Sequence, residues 1–324
     1  MTLNLRAASP VPIGLGLAAV GRPGYITLGR GVDLPAVRTE EALRERAFAL
    51  MDSAYAQGVR YLDAARSYGL AETYLAQWLR SRPDVTDVVV GSKWGYTYTA
   101  GWHTQAEVHE VKDHSAGAYD RQVAETRALL DDRLNLYQIH SVTPDSPALG
   151  DTALHERLAR LARTGVAVGL STSGPRQADT IRAALAVTVD GRPLFESFQT
   201  TYNLLERSTG TALAEAHAAG RAVIVKEALA NGRLTGPHLV LPEMNALLEI
   251  ARETGATCDA VALAAVAVQP WADVVLSGAA TVGQLTSNLA ATRVRLAPAQ
   301  VERLGELAEP PGAYWTRRSQ LAWE

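Results

Sequence analysis

The sequence lacks most of the features that mark secreted, membrane-spanning and nucleic-acid-binding proteins. Cys258 is the only cysteine in 324 residues, which excludes an intramolecular disulfide and fits a reducing compartment. No stretch contains the roughly 20 unbroken apolar residues that a membrane helix needs. The formal net charge is -3, so there is no basic excess to attract a nucleic-acid backbone. We therefore expect a cytoplasmic protein whose partners include neither a membrane nor a nucleic acid.

The apolar residues that are present fall into short, regularly spaced segments. Hydrophobic residues make up 47% of the chain and charged residues 20%, a balance typical of a globular protein with a large core. The apolar segments are continuous rather than alternating, which predicts strands buried on both faces of a parallel sheet. The eight predicted strands are residues 13–17, 59–64, 88–91, 136–139, 167–170, 197–200, 222–225 and 274–276.

Amphipathic segments with helical periodicity follow the strands. Between residues 40 and 57, apolar side chains recur every three or four positions, and Gly58 follows as a stop signal. The predicted helices are residues 40–57, 71–80, 119–130, 154–163, 177–187, 211–219, 243–253, 260–268 and 282–291.

Eight strand–helix units predict an α/β fold of the (β/α)8 TIM-barrel type. The competing fold, a doubly wound sheet, would place G-x-G-x-x-G after the first strand, a spacing that Gly14, Gly16 and Gly21 do not provide. We predict a single barrel domain over residues 1–324. A polar and aromatic loop insertion at about residues 94–117 and a C-terminal tail at about residues 308–324 interrupt the repeating pattern.

Four chemically useful side chains follow successive strands. Asp63, Lys93 and His140 stand at the ends of the second, third and fourth predicted strands, and Tyr68 lies five residues after Asp63. In a barrel these strand ends share one rim, where catalytic groups are found. A tyrosine can protonate the alkoxide that hydride reduction of a carbonyl produces, and a nearby lysine would lower its pKa. A carboxylate would keep the lysine charged, and a histidine could orient the carbonyl oxygen.

These residues lie in segments that resemble the aldo-keto reductase superfamily. Residues 61–72, YLDAARSYGLAE, resemble that family's motif of Asp, two small residues, Tyr-Gly and a later Glu. Ser92-Lys93 and residues 136–140, LYQIH, resemble the family's lysine and histidine segments. The resemblance implies a catalytic tetrad of Asp63, Tyr68, Lys93 and His140, with Tyr68 as the proton donor.

The resemblance extends to the strand ends that hold a nicotinamide cofactor in the family. It implies carboxamide recognition after strands 5 and 6, a strand-7 loop around the pyrophosphate and a strand-8 loop at the adenosine end. Glycine and a helix N-terminus suit such close contact with phosphate. The implied cofactor-binding residues are Ser171, Gln199, Leu229, Asn231, Arg233, Ser277, Gly278, Ala280, Gln284 and Asn288.

Several positions depart from the family pattern. Lys226 stands where relatives carry an aromatic residue that stacks on the nicotinamide. Gly278, Ala279 and Gln284 stand where many relatives use lysine, serine and arginine for the 2′-phosphate. Arg233 remains a candidate source of positive charge. Both NADP(H) and NAD(H) are therefore open as the cofactor.

The insertion and the tail hold the remaining candidate residues. His109 and His114 are one residue too far apart for an H-E-x-x-H zinc motif, so we expect no metal site and interpret these histidines as solvated or in contact with substrate. Aromatic residues in both segments either form a substrate pocket or anchor the chain: Trp94, Tyr96, Tyr98, Trp102, Tyr314 and Trp315.

The resemblance implies an NAD(P)(H)-dependent oxidoreductase that acts on a small-molecule carbonyl or alcohol substrate. Two alternatives stay open at this point: a cofactor-binding regulatory subunit on the same barrel, and a barrel enzyme that uses the last two loops for a substrate phosphate.

Overall fold

The computed structural model describes residues 4–34, 37–236, 239 and 244–324. Its centre is a closed barrel of eight parallel strands, which confirms the predicted TIM barrel. Each strand pairs with the next along the chain, and the last pairs with the first. The strands are β1 (Ile13–Gly16), β2 (Tyr61–Asp63), β3 (Val89–Trp94), β4 (Leu134–Val142), β5 (Ala167–Thr172), β6 (Ser197–Thr201), β7 (Ala222–Lys226) and β8 (Val274–Ser277).

Helices surround this barrel and agree with the sequence-based predictions to within a few residues. The first residue of the helix predicted at 243–253 lies outside the described residues. Within the described residues, no helix combines the length and apolar character needed to cross a membrane. The helices are α1 (Glu40–Ala56), α2 (Ala71–Ser81), α3 (Ala116–Leu130), α4 (Thr152–Ala162), α5 (Gln177–Leu185), α6 (Gly210–Ala218), α7 (Asn245–Thr254), α8 (Cys258–Ala267), α9 (Val282–Leu289), α10 (Pro298–Gly305) and α11 (Pro311–Ser319).

Two of these helices, α10 and α11, were not predicted from the sequence. Each begins with a proline at its first helical position, where the missing N–H costs nothing and the fixed φ favours a helix. Two short helical segments, Leu5–Ala8 and Arg30–Asp33, precede α1.

The barrel interior is filled below the open rim. Tyr61, Leu136, Ile224 and Leu276 belong to a buried cluster inside the strands, and Leu5 packs onto that cluster from the N-terminal helical segment. Gly91 leaves the space that Tyr61 occupies, because a Cβ there would lie 2.3 Å from the tyrosine hydroxyl. With the interior filled by side chains, a ligand can approach only at the carboxyl ends of the strands.

The insertion after β3 is an antiparallel hairpin rather than an unstructured loop. Its strands, Tyr96–Tyr98 and Glu110–Lys112, pair in register from Tyr96 opposite Lys112 to Tyr98 opposite Glu110. A second short antiparallel hairpin follows α5 in the sequence. Its strands are Thr188–Val189 and Arg192–Pro193.

The C-terminal tail folds back over the rim of the barrel. After α11, the backbones of Glu324 and Tyr25 exchange two hydrogen bonds, each 3.0 Å long. The Trp323 ring stacks on His109 of the insertion, with centroids 4.0 Å apart and planes 7° from parallel. The tail, the β1–α1 loop and the β3 hairpin therefore meet at one edge of the open end.

Candidate active site

Strand register brings the predicted tetrad to one rim. Asp63 ends β2 and pairs with Gly16 on one side and Gly91 on the other. Lys93 lies two residues beyond Gly91 on β3, and His140 follows the β4 residue Ile139, which pairs with Trp94. Parallel neighbours in register carry their carboxyl ends to the same edge, so side chains far apart in sequence become adjacent.

Asp63 and Lys93 form a buried ion pair at the base of the site. Lys93 Nζ lies 2.5 Å from Asp63 Oδ2, and the two side chains are 0% and 2% exposed. Lys93 also donates to the Ala64 carbonyl at 2.9 Å, and Gln199 Nε2 donates to Asp63 Oδ1 at 2.8 Å. Each charge thus has polar partners in addition to its counter-ion, which a desolvated pair requires.

Tyr68 and His140 lie against this pair. The Tyr68 hydroxyl is 3.5 Å from His140 Nε2, and the rings meet edge to face with centroids 5.5 Å apart. Lys93 Nζ lies 4.7 Å from the centroid of the Tyr68 ring. On its other side, His140 Nδ1 is 3.4 Å from the Ser67 hydroxyl. The structure therefore brings all four predicted residues together.

The environment of Tyr68 differs from the expectation that Lys93 lowers its pKa. Burial raises the pKa of Tyr68 well above its ordinary value, Asp63 raises it further, and Arg22 lowers it in part. The net shift is opposite to the expected one because loss of water penalises the phenolate, and the Asp63 carboxylate opposes the effect of the neighbouring cations. The resting side chain is consequently a phenol that holds its proton.

His140 is held neutral by the same surroundings. Burial lowers the pKa of His140 well below its ordinary value, and the cations Lys93, Lys226 and Arg22 lower it further. A neutral imidazole has one N–H donor and one acceptor nitrogen. It can therefore hydrogen-bond an oxygen atom beside Tyr68 without competing as an acid.

Of the histidines of the insertion, His114 is not arranged as predicted, whereas His103 is exposed. His114 is buried, and its ring nitrogens contact the Ser146 hydroxyl at 2.7 Å and the His140 carbonyl at 2.8 Å. Burial lowers the pKa of His114 to about 4. It is neither solvated nor at a substrate position, and instead it supports the end of β4 from behind. His109 packs against Trp323.

A cavity of about 770 Å³ opens from the tetrad and extends to the loop after β8. Residues 25–29 of the β1–α1 loop form one wall, and the loop after β7 forms the facing wall. The two walls are joined across the cavity by hydrogen bonds from Leu28 N to Asn231 O at 3.0 Å and from Asn231 Nδ2 to Ile26 O at 2.8 Å. The cavity is therefore an elongated, partly covered groove.

Eight of the ten predicted cofactor-binding residues line this groove, and two do not. The Ser171 hydroxyl turns away and accepts the Ser141 backbone N–H at 2.8 Å. Arg233 forms an ion pair with Glu309 and stacks over Tyr314, so its charge is directed outside the groove. The lining residues are Gln199, Leu229, Asn231, Ser277, Gly278, Ala280, Gln284 and Asn288.

The groove has polar atoms that the protein leaves without partners. Gln199 Oε1 and Asn231 Oδ1 are buried and accept no hydrogen bond from the residues that the structure describes. Such atoms are costly unless a ligand or water meets them. Gln199 lies beside Asp63 at the tetrad, where its free oxygen could accept a hydrogen bond from a carboxamide NH2. Asn231 lies farther from the tetrad along the groove. The residues present therefore fit a nicotinamide dinucleotide.

Lys226, Glu227 and Arg318 form a charged cluster at the end of β7 that the sequence did not predict. Lys226 Nζ donates to the Thr201 hydroxyl at 2.6 Å and lies 3.7 Å from Glu227 Oε1, while Arg318 of α11 pairs with Glu227. Burial lowers the pKa of Lys226 to about 8, with Glu227 opposing that effect. Glu227 and Asn231 adopt φ values of 55°, a backbone strain that is often found at ligand sites.

Arg22, Glu110 and Trp323 complete the tetrad end of the groove. Arg22 is 2% exposed, pairs with Glu110 Oε2 at 2.8 Å and donates to the Ser67 carbonyl at 2.7 Å. Its guanidinium lies 4.7 Å from the Trp323 ring and 5.6 Å from the Tyr68 ring. These three residues come from the β1–α1 loop, the β3 hairpin and the C-terminal tail, so only the presence of an aromatic residue in the tail gave a signal in the sequence.

The aromatic residues that were candidates for a pocket wall anchor the chain instead. Trp94 is buried against Tyr119, and the Trp102 indole donates to the Arg38 carbonyl at 2.9 Å. Tyr314 and Trp315 are buried in a cluster between α11 and the outer helices. None of the six proposed aromatic residues lines the groove, although Tyr96 contacts the His140 ring at 5.1 Å.

Comparison with known proteins gives the class of this fold and site. Residues 12–309 match the Aldo/keto reductase family, and the chain therefore belongs to that family. Members of the family are oxidoreductases that use nicotinamide cofactors.

Individual relatives are distant but cover most of the chain. The chain is 25% identical to Protein tas of Escherichia coli K12, over 83% of this chain and 90% of that protein. It is 23% identical to aldo-keto reductase str7 of Strobilurus tenacellus, over 82% of each chain. Among solved structures, aldo-keto reductase AKR11C1 from Bacillus halodurans, in its holo form, superimposes with a TM-score of 0.66 at 22% identity over 92% of both chains.

Proposed function

We propose that the protein transfers a hydride between C4 of a nicotinamide dinucleotide, NAD(H) or NADP(H), and the carbon of a carbonyl or alcohol substrate. One observation carries the proposal: a protonated phenol, a neutral imidazole and a buried lysine–aspartate pair meet at one end of an elongated groove. Hydride transfer to a carbonyl creates negative charge on oxygen, and this arrangement supplies the proton that the oxygen requires.

Tyr68 acts as the acid in reduction and as the base in oxidation. Its hydroxyl is 3.5 Å from His140 Nε2, so one substrate oxygen can hydrogen-bond both groups. The raised pKa of Tyr68, caused first by burial, keeps the proton in place until negative charge develops on the substrate. The Lys93 ammonium lies 4.7 Å and the Arg22 guanidinium 5.6 Å from the centroid of the Tyr68 ring. Both cations stabilise the phenolate that remains after proton transfer.

His140 orients the substrate oxygen, and Asp63 holds Lys93 in place. The lowered pKa of His140 leaves it neutral, so it can donate a hydrogen bond without giving up its proton. Asp63 fixes the Lys93 ammonium through the 2.5 Å contact. A preorganised set of this kind requires little reorganisation when charge appears on the substrate.

The remaining groove residues provide the cofactor site. Gln199 would meet the carboxamide through its unpartnered oxygen, and Leu229 and Asn231 border the middle of the groove. Ser277 and Gly278 begin the loop in front of α9, whose N-terminus favours an anion. When bound, the nicotinamide supplies the hydride or accepts it. Trp323 and the β1–α1 loop border the tetrad end and limit the access of water.

The test is cofactor-dependent turnover. Absorbance at 340 nm is followed with NADH and with NADPH against a panel of aldehydes and ketones, using the unmodified enzyme and Tyr68→Phe. We expect turnover that Tyr68→Phe reduces by about 10²–10⁴-fold, the usual contribution of a general acid. Tyr55→Phe is the matched control, because Tyr55 bonds Asp87 on the outer surface.

Two results would overturn the proposal. A Tyr68→Phe enzyme as active as the Tyr55→Phe control would remove Tyr68 from the proton transfer. Tight cofactor binding without turnover on any member of the panel would favour the regulatory-subunit alternative.

A further inference from the structure

The groove has a second end that takes no part in the chemistry. If hydride transfer occurs beside Tyr68, the nicotinamide occupies the tetrad end, and the adenosine half of an extended dinucleotide must lie at the other. That end is formed by the loop after β8 and by the first turns of α9 and α8. Its composition therefore bears on which adenosine dinucleotide the groove accepts.

Asp259 is the residue that distinguishes this end. It lies in the first turn of α8 and lines the groove. With the Asn288 amide oriented so that both of its polar atoms are satisfied, Nδ2 donates to Asp259 Oδ2 at 2.8 Å and Oδ1 accepts from the Ser277 hydroxyl at 2.8 Å. Asn288 thus links the carboxylate to the end of β8 and fixes its position.

No lysine or arginine accompanies this carboxylate among the lining side chains that the structure describes. The three cations that do line the groove, Arg22, Lys226 and Arg318, all lie at the tetrad end. Asp33 adds a second carboxylate on the side of the β8 loop.

One nearby arginine is already engaged. Arg46 donates to the carbonyls of Asp33 and Ala280, both at 3.2 Å, and does not line the groove. The described adenosine end therefore presents hydrogen-bond acceptors and net negative charge.

We propose that this groove accepts the non-phosphorylated dinucleotide, NAD(H), and that Asp259 determines the choice. The Asp259 carboxylate would accept hydrogen bonds from the adenosine ribose hydroxyls, as acidic residues do in other NAD sites. A 2′-phosphate would place nearly two negative charges beside the same carboxylate with no cation to neutralise them. The inference rests on the proposed function, since it assumes that a dinucleotide lies in the groove.

The test measures binding rather than activity. Isothermal titration calorimetry gives the Kd of NADH and of NADPH for the unmodified protein, Asp259→Asn and Asp259→Ser. We expect NADH to bind at least about tenfold more tightly than NADPH, because of the charge repulsion just described. Both Asp259 variants should bind NADH more weakly and NADPH more tightly than the unmodified protein does. The ratio of the two Kd values should therefore fall to about threefold or less.

The outcomes separate this inference from the function on which it rests. Asp190→Asn is the matched control, since Asp190 is 81% exposed in the hairpin after α5 and lies outside the groove. Equal or tighter binding of NADPH by the unmodified protein, or an unchanged ratio in folded Asp259 variants, overturns the inference and leaves the oxidoreductase proposal standing. Binding of neither dinucleotide overturns both.

Discussion

The two ends of the groove differ in how their charged side chains are paired. At the tetrad end, three cations each contact a counter-ion: Lys93 contacts Asp63, Arg22 contacts Glu110 and Arg318 contacts Glu227. At the adenosine end, the described lining carries carboxylates without cations. Paired charges can be desolvated and held rigidly, whereas unpaired carboxylates prefer neutral hydrogen-bond donors to anions. Under the proposed function, the first end carries out the chemistry and the second selects the cofactor.

Lys226 is the exception within the tetrad end. Lys93 contacts its carboxylate at 2.5 Å, while Lys226 contacts a hydroxyl at 2.6 Å and its carboxylate only at 3.7 Å. The pKa of Lys226 consequently falls to about 8 through burial. Lys93 and Lys226 therefore differ in how closely each is paired with a carboxylate. The predictions below test the effect of each lysine separately.

The largest effect is expected from breaking the fixed pair. Lys93→Met leaves Asp63 buried without its counter-ion, which should lower the free energy of unfolding by about 3–5 kcal/mol. It should also reduce turnover by at least about 10³-fold, because the phenolate loses its nearest cation and its positioning. Urea unfolding and 340 nm assays measure the two effects.

A double variant separates stability from chemistry in that prediction. Lys93→Met combined with Asp63→Asn removes both charges and should recover part of the lost stability without recovering turnover. Turnover of the single variant within tenfold of the unmodified enzyme would show that the pair is structural only.

A smaller, pH-dependent effect is expected from Lys226. The oxidised nicotinamide ring is positively charged, so its repulsion by the Lys226 ammonium should fade as pH rises through about 8. The affinity for the oxidised cofactor should therefore increase a few-fold between pH 7 and 9, while that for the reduced cofactor stays constant. Fluorescence titration of both cofactor forms measures this difference.

Burial and neighbouring charges move the pKa values of four groups near Lys226 out of that range: Glu227, Arg318, Tyr68 and His140. Arg318 and Lys226 hold the pKa of Glu227 at about 2 despite its burial, and Glu227 raises the pKa of Arg318. Burial keeps the pKa of Tyr68 high and that of His140 low. Lys226→Met should therefore abolish the pH dependence, and its persistence in that variant would assign it to another group.

The smallest effect on binding is expected from Arg233. Because its guanidinium pairs with Glu309 outside the groove, Arg233→Met should change the Kd of either dinucleotide by less than about twofold. It should lower the free energy of unfolding by about 1 kcal/mol, since a partly buried pair is lost and Glu309 keeps its contact with Arg317. A large loss of affinity for NADPH alone would restore Arg233 as a phosphate ligand.

Sequence reasoning located the barrel and the tetrad because both depend on local signals. Continuous apolar runs mark strands such as those ending at Asp63 and His140, and the position of a residue at a strand end fixes which rim it joins. The α10 and α11 helices escaped prediction because they are short, 8 and 9 residues, and bury only one or two apolar side chains each. The β3 hairpin escaped because each of its strands has only three residues, too few for alternation to stand out in the sequence.

The cofactor site was predictable only in part. Strand-end residues such as Gln199 and Ser277 reach the groove because the barrel dictates their position. Ser171 and Arg233 lie in similar segments, but their side chains turn to partners that the sequence does not name, a backbone N–H and a distant glutamate. Arg22, Asp259 and Trp323 enter the groove from loops and outer helices whose course depends on the packing of the whole chain.

Hydrophobic periodicity acts over a few residues, so it was enough to predict the order of strands and helices and the side chains at the strand ends. The charge state and the partners of those side chains could be read only from the folded chain. Protonation depends on water excluded by, and charges supplied from, segments tens to hundreds of residues away. That is why Tyr68 was assigned its place correctly and its pKa wrongly.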